Sequence, residues 1–161
     1  MTAPSVTVQS EVVISALNSV LAAGSNLKPA TQRVAQRWKG LSLLSFRTSK
    51  DPHGKPWKPV LRAGGQPLVD TGRLRNSLTT RATGLTAEVG TNVLYAAVHQ
   101  FGATIKPVKA KALRFQLNGQ WFTRKQVKIP ARPFLPTTTI PASYENAAVK
   151  VVSNYLSGAA A

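Results

Sequence analysis

Two histidines, five carboxylates and no cysteine are all this chain offers for proton transfer, metal binding or thiolate chemistry. The carboxylates are Glu11, Asp51, Asp70, Glu88 and Glu145, and no two lie close in sequence. Neither an acid–base pair nor a Mg²⁺ site therefore comes from neighbouring residues. His53 and His99 have no second histidine at ligand spacing, so the pattern does not suit zinc. Gly54-Lys55 and Gly72-Arg73 lack the longer glycine-rich spacing that cradles phosphate. No serine stands in a nucleophile-elbow pattern. The expectation is a protein that is not an enzyme, with no catalytic residue, no cofactor and no metal. The shortage of acids argues against a nuclease in particular.

What the chain does carry is cations. Lys and Arg number 21 against 5 Asp and Glu, a net charge of +16. A well-mixed surface of a small domain carries about 2–8. The charge is concentrated: all basic residues but Lys150 lie between Lys28 and Arg132, where Asp51, Asp70 and Glu88 are the only acids. Such a field attracts nucleic acid, anionic membrane or acidic protein faces. Candidate DNA- or partner-facing residues are Lys50, Lys55, Lys58 and Arg62 in a loop, and Lys106, Lys109 and Lys111 before a hairpin. Aromatics such as Trp57, Tyr95, Phe101, Phe115, Trp121, Phe122 and Phe134 could stack on single strands. Phe115 falls on an alternating strand, which favours a core position.

The elements that must position these residues follow from periodicity. The 161 residues suit a single domain spanning 1–161. Residues 1–9 read as a polar, flexible start. Val13, Ala16, Leu17, Val20 and Leu21 recur at helical spacing over Ser10–Ala23, with Gly24 as a stop. Pro29 opens a second helix whose stripe is Ala30, Val34, Trp38, Leu41 and Leu44, so that residues 10–45 are helical. Residues 46–69 form a long basic loop, punctuated by proline and glycine and holding Trp57 in its middle. Short helices and antiparallel strands fill 70–135. Asp70 or Thr71 caps a short helix through Leu78. Strands flank Thr83-Gly84. Residues 93–101 form a helix ending at Gly102. Asn118-Gly119 turns a hairpin whose return strand is Trp121–Ile129. Pro141 then opens the last helix, so 136–161 is a C-terminal helix with a flexible tail. The fold class is α+β: a mostly antiparallel β-sheet flanked by N-terminal and C-terminal helices. With no basic start before Lys28 and no apolar run near ~20 residues, an intracellular origin away from the membrane is expected.

Four segments are denser in glycine, proline and aromatics than the rest. They are Pro52-His-Gly-Lys-Pro-Trp-Lys-Pro59, Leu68-Val-Asp-Thr-Gly-Arg-Leu-Arg-Asn-Ser-Leu78, Tyr95-Ala-Ala-Val-His-Gln-Phe-Gly102 and Ile129-Pro-Ala-Arg-Pro-Phe-Leu135. In this order and spacing they resemble the phage virion morphogenesis, or tail completion, family, over about Phe46 to Leu135. The resemblance implies a ring-forming structural subunit of the phage neck or tail top, commonly a hexamer, assembled in the bacterial cytoplasm and carried in the virion. Its partners would be copies of itself and neighbouring neck and tail-tube proteins. Nonspecific contact with channel DNA would come from the cations. The assembly residues expected are Trp57, Tyr95, His99, Arg132 and Phe134. Trp57 would be an aromatic anchor for a partner, and Phe134 a plug into an apolar pocket. Arg132 would pair with a carboxylate or face water, and His99 would be packed or partner-facing. The same residues also allow a tail terminator or a head-side stopper ring. From another class, the charge allows a sequence-nonspecific nucleic-acid-binding protein.

Overall fold

In the computed structural model residues 11–159 are described, so the flexible start expected over residues 1–9 lies outside them. Three long helices carry the architecture: α1 (Glu11–Ser25), α2 (Lys28–Thr48) and α5 (Ala142–Ala159). Helix α2 is central. The β1–β2 ribbon packs on it, α5 packs on it as well, and α1 packs on α5. Gly24 does not stop α1, which runs on to Ser25 before a tight connection to α2. Pro29 sits in the first turn of α2, where a missing N–H costs nothing.

Helix α2 buries Ala30, Val34, Ala35, Ser42, Ser45 and Phe46. The expected stripe is right at its start and drifts at its end. Leu44 is exposed, and Phe46, two residues on, is the residue fully removed from solvent. The seam is tied to α5 by hydrogen bonds. Trp38 Nε1 donates to Tyr144 O at 2.9 Å, and Ser42 Oγ lies 3.0 Å from Tyr144 Oη. Burial pushes the Tyr144 phenol above its usual range, and the Ser42 bond works against that rise. At the far end of α5, Tyr155 Oη donates to Asn26 O in the α1–α2 connection. Ser49, in the left-handed conformation, ends α2 and returns its N–H to Ser45 O.

The strands are antiparallel, as expected, but they form three separate two-stranded ribbons and no single sheet. They are β1 (Leu78–Ala82) with β2 (Ala87–Thr91), β3 (Ala103–Ile105) with β6 (Val127–Ile129), and β4 (Leu113–Leu117) with β5 (Gln120–Arg124). The expected return strand over Trp121–Ile129 is therefore split at Lys125-Gln126: its first half pairs with β4, its second with β3. Asn118 and Gly119 both take positive φ, the two-residue turn their types favour. Phe115 is half-buried, stacked on Phe122 across the ribbon, because only one face of this hairpin has anything to pack against.

Two short helices complete the fold, α3 (Arg73–Asn76) and α4 (Ala96–Phe101). Thr71 Oγ1 accepts a long hydrogen bond, 3.4 Å, from the N–H of Arg73 at the start of α3, whereas Asp70 does not cap the helix. The cap position is Gly72 in a left-handed conformation, and Asp70 is engaged by Arg62. Leu78 is not helical but begins β1. Gly102 ends α4 at φ +74, with Ala131 N only 2.8 Å from where a β-carbon would stand. A side chain there is excluded twice, by conformation and by space.

Candidate interaction surface

The four distinctive segments, scattered over 84 positions of sequence from Pro52 to Leu135, converge on one knot. Its core is Phe46, Trp57, Leu74, Leu78, Ala96 and Phe134, with Leu43, Leu68, Val69, Val93 and Leu135 packed around it. Phe46 is the hub. The Trp57 ring meets it edge-on at 5.8 Å, and the Phe134 ring lies at 5.3 Å. Trp57 is only 7% exposed and Phe134 1%. Trp57 is therefore a core residue of the subunit, and the expectation of an indole free to anchor a partner is corrected. The physical reason is α2, which delivers Phe46 to the base of the loop and gives the indole an aromatic face to cover. Phe134 does fill an apolar pocket, and that pocket lies within its own chain.

Two buried polar side chains lock the segments together. Gln100, on α4, accepts from the N–H groups of Phe134 and Leu135 at 3.0 and 3.2 Å through Oε1 and donates to Leu135 O at 2.7 Å. Its amide thereby acts as a strand partner for a proline-flanked segment that no ladder can take. Arg132 neither pairs with a carboxylate nor faces water. It is buried, and its Nε and Nη2 donate to Lys58 O and Pro59 O at 2.8 and 2.9 Å. Trp57 Nε1 adds a bond to Pro133 O at 2.9 Å. The loop from Ser49 to Gln66 is thus ordered from the far end of the chain.

Other bonds shape the loop from within. Asp51 Oδ1 accepts from the N–H groups of His53 and Lys55, and the Trp57 N–H returns to Ser49 O. Gln66 Nε2 donates to Phe46 O at 2.7 Å. The Asn118 side chain, at the tip of the β4–β5 hairpin, donates to Leu61 O and accepts from Ala63 N, both at 3.1 Å. Arg62 forms an ion pair with Asp70 and donates to Val69 O, so it is a structural link and not a free cation. Lys50, Lys55 and Lys58 are exposed on this pinned loop, and Lys106, Lys109 and Lys111 are exposed between β3 and β4.

The hairpin adds cations that the sequence reading did not single out. Arg114 lies over the Trp121 ring at 4.7 Å, and that indole is 62% exposed. Arg124, Lys125 and Lys128 are exposed nearby in sequence. Between Glu88 and Glu145 there is no carboxylate at all. That acid-free run was a legible signal for Arg114, Arg124, Lys125 and Lys128. Phe46 and Gln100 had no such signal, since a Phe at a helix end and a Gln on a short helix have ordinary surface roles.

Tyr95 and His99 stand at the rim of a groove of about 510 Å³ formed with Leu61, Leu68, Val69 and Leu117. Their rings meet edge-on at 5.8 Å. Tyr95 is half-exposed, while His99 Nδ1 is buried with no hydrogen-bond partner. Burial and the neighbouring Arg132 charge hold the His99 imidazole below its ordinary pKa of 6.5. The unfolded chain, with His99 near 6.5, then binds more protons than the folded one just below that pH. Stability contributed by neutral His99 is complete above about pH 6.5 and is lost as pH falls toward its lower folded value. The wild type should therefore lose stability from pH 7 to 5 more steeply than His99→Gln, measured by urea unfolding at each pH. Parallel curves would show that His99 does not titrate in this window.

Among the described residues, no group of three or more His, Cys, Asp or Glu lies together as a metal site would need, and no helix is long and apolar enough to cross a membrane. Built this way, the chain is a mixed helix and antiparallel-ribbon protein whose aromatic core pins a cationic loop beside a cationic hairpin. Residues 8–157 match the phage virion morphogenesis family, and the chain belongs to that family. It is 33% identical over 127 residues to the Mu-like prophage FluMu G protein 2 of Haemophilus influenzae, covering 78% of each chain. No solved structure matches.

Proposed function

We propose that this chain is a structural subunit of the neck or tail top of a phage particle, assembled as a ring around the channel and completing the tail for joining to the head. Six copies would gather on the order of 100 positive charges, whose mutual repulsion needs an anionic counterpart. The observation that carries the reading is the segregation of charge. Exposed cations crowd the pinned loop and the β3–β6 and β4–β5 ribbons, while α1 and α5 carry only Glu11, Glu145 and Lys150. The cationic loop and ribbons suit DNA in the channel, and the nearly neutral α1 and α5 suit neighbouring neck and tail-tube proteins. Particles assembled without the protein should accumulate as filled heads and separate tails. Joined, infectious particles lacking it would overturn the reading.

The cations act on phosphate without reading bases. The candidates Lys50, Lys55, Lys58, Lys106, Lys109 and Lys111 sit in loops, and α2, the long described helix that does carry cations, is packed against the β1–β2 ribbon and α5. Affinity for random duplexes should fall with salt, by about 0.9 log units per log unit of salt for each phosphate neutralised. Replacing Lys106, Lys109 and Lys111 together by alanine should lower that slope by up to about 3. No binding at low salt, together with neck assembly blocked by charge reversal of the same residues, would assign them instead to acidic faces of adjacent rings.

A further inference from the structure

We infer that a cleft beside helix α2, rimmed by Arg37, Arg47 and Arg75, is the socket for an acidic segment of a different protein. This socket gives the neck reading a partner surface and rests on that reading only for where the partner sits. The cleft has a volume of about 610 Å³ and is built by three separate parts of the chain. Helix α2 gives the floor, and Gln66 and the short helix α3 give the wall. Gln66 is fixed there by its bond to Phe46 O at 2.7 Å, and on α3 Arg75 Nε donates to Asn76 Oδ1 at 3.3 Å. On α2, Arg37, Gly40, Leu44 and Arg47 recur at helical spacing and share one exposed face.

Two features of the cleft point to an occupant. The first is charge. Arg37, Arg47 and Arg75 are exposed, and no carboxylate lines the cleft with them. Among the described residues the only ion pair is Arg62 with Asp70, so three guanidinium groups converge with nothing inside the subunit to neutralise them. Every cation in the cleft is an arginine, the side chain whose planar fork takes a carboxylate through two parallel bonds. The second feature is Gly40, in the middle of a helix of 21 residues. Glycine weakens a helix interior relative to alanine. Nothing inside the chain calls for it, since a β-carbon there would have no atom within 4 Å. Bare backbone between two arginines lets a partner chain lie close on α2.

The chemistry of the occupant follows from the lining. It carries carboxylates for the rim and an apolar side chain for the floor, where Leu44 is 40% exposed beside Leu41 and Leu43. Arg37 and Arg47 stand about 15 Å apart along the helix, so the acids of the segment are spread over a similar length. DNA fits less well. Phosphates gain nothing from leucines, and a helix that reads a duplex must stand proud of its surroundings to enter the major groove, whereas here it is the floor. A second copy of this chain cannot supply the segment. Of its five carboxylates, Asp51 accepts from its own loop, Asp70 is paired, and Glu11, Glu88 and Glu145 stand singly on α1, β2 and α5. The source is therefore a different, acidic protein.

The test measures, by fluorescence anisotropy, binding of the full chain to a labelled helical peptide about four turns long, with glutamates in its first and last turns and a leucine between. Replacing those glutamates by glutamine should abolish binding. Arg37→Glu with Arg47→Glu should weaken it more than tenfold, with a melting temperature no lower than the wild type, since both side chains are exposed. Lys28→Glu with Lys150→Glu makes the same change in net charge at exposed positions away from the cleft, and should keep the affinity within about twofold. Gly40→Leu should raise the melting temperature by improving the helix and still weaken peptide binding more than tenfold, a combination that a merely structural glycine would not give. Equal losses in the Arg37/Arg47 and Lys28/Lys150 variants would overturn the socket, because they would show attraction by net charge alone. So would full affinity in Gly40→Leu, or a glutamine peptide that binds as well. A random DNA duplex that displaces the peptide and loses affinity in the same Arg37/Arg47 and Gly40 variants would assign the cleft to nucleic acid instead. A wild type that ignores the peptide, while particles lacking the protein still fail to join, overturns the socket and leaves the neck role intact. Peptide binding that follows these variants, with joined particles in the protein's absence, keeps the socket and removes the neck role.

Discussion

Replacing Phe134 with alanine should cost about 3–5 kcal/mol of unfolding free energy, the range for emptying a fully buried aromatic site. The ring is 1% exposed and packs against Phe46, the hub that it shares with Trp57. Removing it leaves the Phe46 face without its partner at 5.3 Å and opens a cavity that the proline-flanked backbone cannot collapse to fill. Whole domains are stable by about 5–15 kcal/mol, so this one change takes a large share. Trp57→Ala should cost a similar amount, since the same hub loses its edge-on ring and Pro133 O loses its donor. Trp57→Phe separates the two effects, keeping an aromatic ring and removing only the N–H. Urea unfolding monitored by far-ultraviolet circular dichroism is the measurement. A midpoint for Phe134→Ala equal to the wild type would show that the core is centred elsewhere.

The second large effect is at Arg132. Its guanidinium donates from Nε and Nη2 to consecutive carbonyls, Lys58 O and Pro59 O, while itself buried. Hydrogen bonds from a charged donor contribute about 1.5–3 kcal/mol each, so Arg132→Ala should cost about 3 kcal/mol or more. The effect should be local as well as global. With the fork gone, the segment from Ser49 to Gln66 loses its tie to the C-terminal half of the chain and should become the first site of limited proteolysis. Arg132→Lys is the informative control. A lysine keeps the charge but presents a point donor where two carbonyls need a planar pair, so it should rescue little. Full rescue by lysine, or an uncut loop in Arg132→Ala, would mean that the loop holds its shape without the clamp.

Order and type of most elements are legible along the chain because they rest on local physics. Helical spacing places α1, α2 and α5, Asn118-Gly119 turns a hairpin, and Gly102 ends a helix, each from a few neighbouring residues. The excess of cations is equally a property of the sequence, and so is the order of the four segments that carries the family resemblance. Pairing is different. Val127–Ile129 continues the run after β5 but crosses to β3, because a strand's partner depends on where the chain returns in space. The roles of Trp57 and Arg132 were decided in the same way. An indole between prolines on a basic loop has the composition of a partner anchor. Phe46 arriving from α2 makes it core. An arginine in Pro-Ala-Arg-Pro has no visible acid to meet, and the acceptors it finds are main-chain carbonyls 73 and 74 positions away, which side-chain types do not advertise. Sequence determined which helices and turns form and the sign of the surface. Only the tertiary structure decided which aromatics are core, which polar groups clamp the loop and which cations remain free, because burial and hydrogen-bond satisfaction belong to pairs of residues brought together from afar.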